Sequence, residues 1–254
     1  MSGGWLSLEW GEPFDGGAPA ALLSLACCGD MRLRPRPAAI VMEETARLFP
    51  GRRFVWLRQE HTRNVLRVGA GDTDAGAAVA GLSGDGLVTD DPAALLGVSV
   101  ADCMPIFLWD TAGGARALLH SGWKGTGIVR EALGLMRASY GSRAENIRAL
   151  LGPCIRPCCY AVPEERARYF AGEFGGNAAV FQDGAWRLDL AAANTNILKA
   201  EGVMRISTCP ACTCCDTRFS SYRRQGKNAY TSMLALCAQD GKSLSPLNLA
   251  RGIF

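Results

Sequence analysis

Histidine is the residue this chain nearly does without: 2 of its 254 positions carry one. That scarcity excludes sites built mainly from imidazoles, a four-copper oxidase centre first among them. Charge of one sign is lacking too. Lys and Arg number 27 against 24 Asp and Glu, a formal balance of +3, and the two signs are interleaved. No electrostatic footprint for nucleic acid or an anionic membrane appears. No apolar run approaches the roughly 20 residues that a transmembrane helix needs. The apolar stretch from Ala18 to Cys28 follows Glu9, Glu12 and Asp15, where an export signal carries positive charge. The expectation is cytoplasmic chemistry on a small molecule. The Gly-x4-Gly-Lys-Ser/Thr phosphate loop is absent, as are the His-x-Glu and Pro-Cys-x-x-Cys steps of the zinc nucleobase deaminases.

Cysteine, by contrast, is abundant, at 11 residues. The count is odd, and Cys27 with Cys28, Cys158 with Cys159 and Cys214 with Cys215 are sequence neighbours that cannot bridge each other without strain. Without an export signal the thiols are read as reduced. The run Cys209-Pro210-Ala211-Cys212-Thr213-Cys214-Cys215 holds a Cys-x2-Cys step, and Cys154, Cys158 and Cys159 are candidates to complete a structural metal site. Its irregular spacing favours instead small buried thiols filling gaps in the core.

Helical and β-rich signals alternate, which argues for a mixed α/β layer fold. Helices are predicted over Ala38 to Leu48, Ile128 to Ser139, Pro163 to Phe174, Leu190 to Glu201 and Ala229 to Ala238. Strands are predicted over Phe54 to Leu57, Gly86 to Thr89, Val98 to Ala101, Pro105 to Trp109, Ala115 to His120 and Ile147 to Leu151. Pro- and Gly-rich joints fall at Arg34 to Pro37, Gly69 to Gly76, Gly113 with Gly114, and Gly172 to Gly176. The two central strands are joined by Asp110-Thr111-Ala112-Gly113-Gly114, a hairpin signature. If Trp109 faces Ala115 or its neighbour, His120 falls opposite Met104 or Pro105, within a residue or two of Cys103. Opposed residues on such a ladder have Cβ atoms roughly 4.5 to 5.5 Å apart.

Both histidines sit at strand ends, where functional residues concentrate. Two imidazoles and a thiolate make a zinc set with an open fourth position, the arrangement of catalytic zinc, and a water in that position would be acidified. Without metal, His61, Cys103 and His120 support thiolate chemistry, with Cys103 as nucleophile and His120 as its base. Asp102 is the nearest carboxylate in sequence to orient a histidine or shuttle a proton, set against an ordinary turn cap. The stretch Ser121-Gly122-Trp123-Lys124-Gly125-Thr126-Gly127 runs into an apparent helix. Its free N–H groups suit phosphate, and tight helix-on-strand packing accounts for the glycines equally well. Ser221-Tyr222-Arg223-Arg224-Gln225-Gly226-Lys227 combines a ring with guanidinium groups, a pattern for stacking on a base and pairing with phosphate or simply a solvated loop.

The chain resembles the laccase-domain family, also called purine nucleoside phosphorylase-like or polyphenol oxidase proteins. The resemblance rests on Gln59-Glu60-His61, Gly84-Asp85-Gly86-Leu87-Val88-Thr89, Ala101-Asp102-Cys103-Met104-Pro105, His120-Ser121-Gly122-Trp123-Lys124-Gly125, Gly152-Pro153-Cys154-Ile155, Leu188-Asp189-Leu190, Cys212-Thr213 and Ser221-Tyr222-Arg223-Arg224. It implies one α/β domain over residues 1–254, a cysteine-hydrolase-like laccase-domain fold of layered mixed sheets with flanking helices. It further implies zinc on His61, Cys103 and His120, phosphorolysis of adenosine, inosine, guanosine and methylthioadenosine, and adenosine deamination at the same site. Purine nucleoside and phosphate would meet Arg63, Gly122, Lys124, Tyr222, Arg223 and Arg224, with Asp102 beside the reacting groups. Where the family continues with a Gly-Arg pair after Lys227, Asn228-Ala229 stands here, so one basic contact is missing.

A cysteine amidase that edits a peptidoglycan precursor is the alternative the same resemblance implies, with Cys103 as nucleophile instead of ligand. Copper in the three-ligand pocket in vitro would give weak phenol oxidation, a lesser reading.

Overall fold

A computed structural model describes residues 4–11, 17–69, 82–239 and 250–251. Glu12, Asp15 and all but the first residue of the Gly69 to Gly76 joint lie outside the described residues. The β-rich runs pair into three sheets. One is six-stranded, in the order β15 (Ala250–Arg251), β1 (Trp5–Ser7), β2 (Ala20–Ser24), β14 (Met233–Ala238), β6 (Ala94–Val100) and β3 (Arg53–Trp56). A second six-stranded sheet runs β13 (Arg205–Thr208), β9 (Ile147–Leu151), β7 (Met104–Asp110), β8 (Arg116–Ser121), β5 (Gly86–Thr89) and β4 (Val65–Val68). A small sheet holds β10 (Ala161–Val162), β12 (Ala185–Leu188) and β11 (Ala179–Gln182). The helices are α1 (Ala39–Leu48), α2 (Ile128–Tyr140), α3 (Glu164–Phe174), α4 (Leu190–Ala200) and the single turn α5 (Tyr222–Gln225).

Side chains alternate across a strand, and here both faces of the large sheets are covered. All seven residues of β7 are buried. Met104, Ile106 and Leu108 pack with Ile128, Ala132 and Met136 of α2 and with Leu190 and Ile197 of α4. Phe107 points the other way and joins Leu118 and Leu150 against Leu23, Leu96 and Val98 of the first sheet. The far face of the first sheet, with Leu22, Leu95 and Leu236, is closed by Val41 and Leu48 of α1. The result is a helix–sheet–sheet–helix stack of mixed sheets, the layered α/β class that the alternating signals predict. Burial on two faces is why the central strands read as unbroken apolar runs.

One predicted element changes type. The segment from Ala229 to Ala238, expected as a helix, contains β14, antiparallel to both β2 and β6. Its six residues are all buried, and an apolar run of that length carries no period that separates strand from helix. The central hairpin has the expected register, with Trp109 opposite Arg116 and Pro105 opposite His120. Among the described residues, no helix is long and apolar enough to cross a membrane.

Candidate active site

Topology explains why His61, Cys103 and His120 meet. In the first sheet β3 and β6 are parallel neighbours, Trp56 beside Gly97, so both strands leave the sheet at the same end. The chain then crosses to the second sheet twice, through the loop carrying His61 and through the one carrying Cys103. On the second sheet β8 delivers His120 opposite Pro105, two residues beyond Cys103. The ligand atoms of the three residues lie within 4.8 Å of one another, and the two imidazole rings meet edge to face with centroids 4.8 Å apart. His61 and Asp102 have φ of +60° and +79°, left-handed conformations that non-glycine residues adopt at a cost, commonly at functional sites.

Asp85, just ahead of β5, organises the cluster from behind. Its carboxylate accepts the N–H groups of Glu60, His61 and Thr62 and the Thr62 hydroxyl, and Oδ1 lies 2.8 Å from Nδ1 of His120. This fully buried group takes the histidine-orienting role for which the sequence offered Asp102, set against an ordinary turn cap. Asp102 instead takes the Thr213 hydroxyl and the N–H of Arg223, each at 2.7 Å, so it pins two loops while its residue lines the cavity. The lone Asp of Gly84-Asp85-Gly86 carried a signal, since a Cβ at Gly86 would stand 2.7 Å from the Leu119 side chain. A glycine there marks close strand contact, and that contact puts Asp85 beside His120.

Electrostatics follows from this packing. Burial opposes charge on Asp85, yet its bonds from His120 and Thr62 hold the carboxyl at about 2. Burial also works to raise the Cys103 thiol, but His120 and His61 outweigh it and bring it down to about 6. For His120 burial favours the neutral ring, while Cys103 and Asp85 raise its pKa well above the ordinary histidine range.

The three residues stand at a cavity of about 500 Å³, a size suited to a small-molecule ligand. Its walls alternate guanidinium groups and rings: Arg166 over Trp123 at 4.3 Å, Arg32 over Tyr230 at 4.8 Å and Arg223 over Tyr160 at 5.5 Å. Of the residues singled out for substrate, Tyr222 and Arg223 line this cavity. Gly122 lies at the cluster itself, where a Cβ would be 2.7 Å from Cys103 Sγ. Arg63, Lys124 and Arg224 are not among the lining residues. Arg63 packs on the Phe174 ring and against Gly127, and Lys124 lies 5.6 Å over Trp123. Arg224 spends its guanidinium on the carbonyls of Thr213, Cys214 and Phe219. Arg32, Arg34, Arg166, Tyr160 and Tyr230 were not singled out from the sequence. Each is an ordinary surface residue type in an irregular segment or on an amphipathic helix, with no spacing to set it apart.

The donor set decides whether a metal ion suits this cluster. Tetrahedral ions bound at 2.0 to 2.3 Å set their ligands roughly 3.3 to 3.8 Å apart, so small side-chain rotations from the observed spacing suffice. Two nitrogens and a soft sulfur, with a carboxylate on the far nitrogen of one imidazole, match a three-ligand site with an open position. The residues fit a single ion.

The profile of the family described as multi-copper polyphenol oxidoreductase laccase matches residues 37–238. A Clostridium acetobutylicum protein named purine nucleoside phosphorylase is 35% identical over 179 residues, which cover 68% of this chain and 72% of the relative. The Geobacillus stearothermophilus purine nucleoside phosphorylase YlmD is 31% identical over 200 residues, 74% of this chain and 72% of its own. The crystal structure of YlmD from the same organism is similar with a TM-score of 0.80 at 29% identity, covering 94% of this chain and 97% of that one. A likeness of that extent, with matched residues running from ahead of α1 through β14, includes every element that carries His61, Cys103 and His120. This chain belongs to the laccase-domain family.

Proposed function

We propose that this enzyme is a zinc-dependent purine nucleoside phosphorylase acting on adenosine, inosine, guanosine and methylthioadenosine, with adenosine deamination at the same site. The observation that carries the reading is the meeting of His61, Cys103 and His120 at a cavity walled by paired guanidinium groups and rings. The names of the relatives from Clostridium and Geobacillus support the substrate class. Cytoplasm suits a chain whose 11 cysteines are all unpaired, because thiols stay reduced there.

Phosphorolysis joins a phosphate oxygen to ribose C1′ as the bond from C1′ to the purine nitrogen breaks. The electron pair leaves with the base, which takes up a proton, and ribose 1-phosphate remains. Arg32, Arg166 and Arg223 supply charge-assisted donors for the anion, and Trp123, Tyr160 and Tyr222 supply ring faces for the base. Asp85 holds the proton on Nδ1 of His120, which leaves Nε2 directed at the Cys103 side of the cluster. His61, Cys103 and His120 would hold the zinc, which supplies Lewis acidity and local positive charge when bound. In deamination water replaces the C6 amino group and ammonia departs, with the same ring faces holding the purine.

Incubation of purified protein with inosine and phosphate should release hypoxanthine and ribose 1-phosphate in equal amounts. Chelation is expected to stop it, and His61→Ala, Cys103→Ala and His120→Ala are each expected to lose at least about 10²-fold. Absence of hypoxanthine from zinc-loaded wild type would sink the reading. The alternative, a cysteine amidase acting on a peptidoglycan precursor, draws on one observation: Cys103 shares the cluster with His120, and Asp85 backs Nδ1 of that imidazole at 2.8 Å, a set that suits nucleophile, base and orienting carboxylate. Amide hydrolysis that survives chelation and ends on alkylation of Cys103 would favour it.

A further inference from the structure

Four of the remaining thiols form a second cluster. Cys158, Cys159, Cys212 and Cys215 place their sulfurs within 4.8 Å of one another. We propose that these four cysteines bind a thiophilic tetrahedral divalent cation, zinc in the first place, as a closed structural site that ties together the two loops walling the cavity. The inference goes beyond the proposed function and stands independently of it.

Each loop presents its pair by a turn. Between β9 and β10 the N–H groups of Cys159 and Tyr160 both bond to the Arg156 carbonyl, which brings two adjacent cysteines around one bend. After β13 the N–H of Asp216 bonds to the Cys212 carbonyl, so Cys212 and Cys215, three positions apart, rise on the same side. The sulfurs of Cys215 and Cys159 are 3.3 Å apart and those of Cys215 and Cys158 are 3.6 Å apart. A disulfide requires about 2.05 Å, whereas four sulfurs bound at about 2.3 Å around one ion sit roughly 3.8 Å from each other.

Filling the core, the role expected of these thiols from the sequence, does not describe the group, because Cys158 and Cys215 are exposed. The surroundings of Cys212 favour a thiolate. The N–H of Arg156 donates to Cys212 Sγ at 3.4 Å, and the N–H groups of Cys214 and Cys215 do likewise. Four thiolates around a divalent ion leave a surplus of two negative charges, and a guanidinium stands at each turn. Arg187 donates to the carbonyls of Pro157 and Cys158, and Arg224 to those of Thr213 and Cys214. That assignment explains why Arg224 turns away from the cavity.

With all four positions taken by protein, such a site adds no chemistry of its own and contributes order. Among the described residues a short backbone bridge between Cys154 and Cys212 joins the two loops, and the ion would add a second tie. Tyr160 and Ile155 of the first loop line the cavity. Thr213 of the second holds Asp102, whose other oxygen holds the N–H of Arg223. The ion would thereby steady one wall of the pocket.

The test reads metal and not turnover. Reduced protein is loaded with zinc, freed of excess and assayed for metal per chain. The double variant Cys212→Ser/Cys215→Ser is expected to hold one zinc fewer than wild type, and equal content in the two overturns the proposal. Should the double variant fail to fold, Cys103→Ser loaded with cobalt(II) decides. This variant lacks the thiol of the His61–Cys103–His120 cluster, so intense thiolate-to-cobalt absorption and tetrahedral visible bands are expected from the four-cysteine site. Their absence overturns the proposal.

Discussion

Gly122 shows how narrow the tolerances at the cluster are. A Cβ there would stand 2.7 Å from Cys103 Sγ and 3.3 Å from Cδ2 of His61, so Gly122→Ala must push the thiol or the ring off the meeting point. A displacement near 1 Å of reacting groups costs on the order of 10²-fold. Hypoxanthine release by Gly122→Ala should fall by about that factor while its thermal melt stays close to wild type, and unchanged kcat/KM would show that the close approach is not needed. The sequence marked this glycine as part of a stretch for holding phosphate or for packing a helix tightly on a strand, and its close neighbours are instead the Cys103 and His61 side chains. Arg223 and Arg224 make the complementary point. They are adjacent and chemically identical, yet one lines the cavity and the other braces a cysteine-rich loop. Consecutive helical residues point about 100° apart, and the direction of that turn is set by what α5 packs on.

The helices are elements whose own residues explain their limits. Asp189 opens α4 by accepting the N–H groups of Ala191 and Ala192 at 2.9 and 3.0 Å. The helix buries Leu190, Ala191, Ala193, Asn194, Ile197 and Leu198, and Leu190 reaches the cavity wall. Replacing Asp189 by Ala removes the cap at a cost of about 1 kcal/mol. A drop in Tm of roughly 2–4 °C is expected by calorimetry, and a Tm unchanged from wild type would mean that water satisfies those N–H groups as well. Helices α1 to α4 were legible because an apolar face recurs at helical spacing, as with Ile128, Ala132 and Met136 on α2. Strand β14 was not, because the second sheet covers one of its faces and α1 the other, which erases the alternation that identifies a strand.

Across the whole molecule, Asp85 is the joint between sheets. It immediately precedes β5 of the second sheet and holds the crossing from β3 at Glu60, His61 and Thr62 together with His120 near the end of β8. A carboxyl whose pKa falls from 3.8 to about 2 on folding stabilises the folded state fully above the unfolded value, and that contribution is lost as pH falls through the folded one. The difference corresponds to about 2 kcal/mol. Urea midpoints should therefore drop between about pH 4 and pH 2 in wild type, with a smaller drop in Asp85→Asn. Parallel losses in the two would assign acid sensitivity to other groups. The amino-acid sequence alone determined the layered α/β class, four of the helices, the central hairpin with its register, and the pairing of Cys103 with His120, because each follows from local periodicity or from counting along one turn. Only the tertiary structure decided that His61 joins them, that Asp85 and not Asp102 stands behind His120, and that cysteines more than fifty positions apart share one point. Those meetings depend on which strands lie parallel and which loops leave the sheets at the same end, and no residue records that within its own neighbourhood.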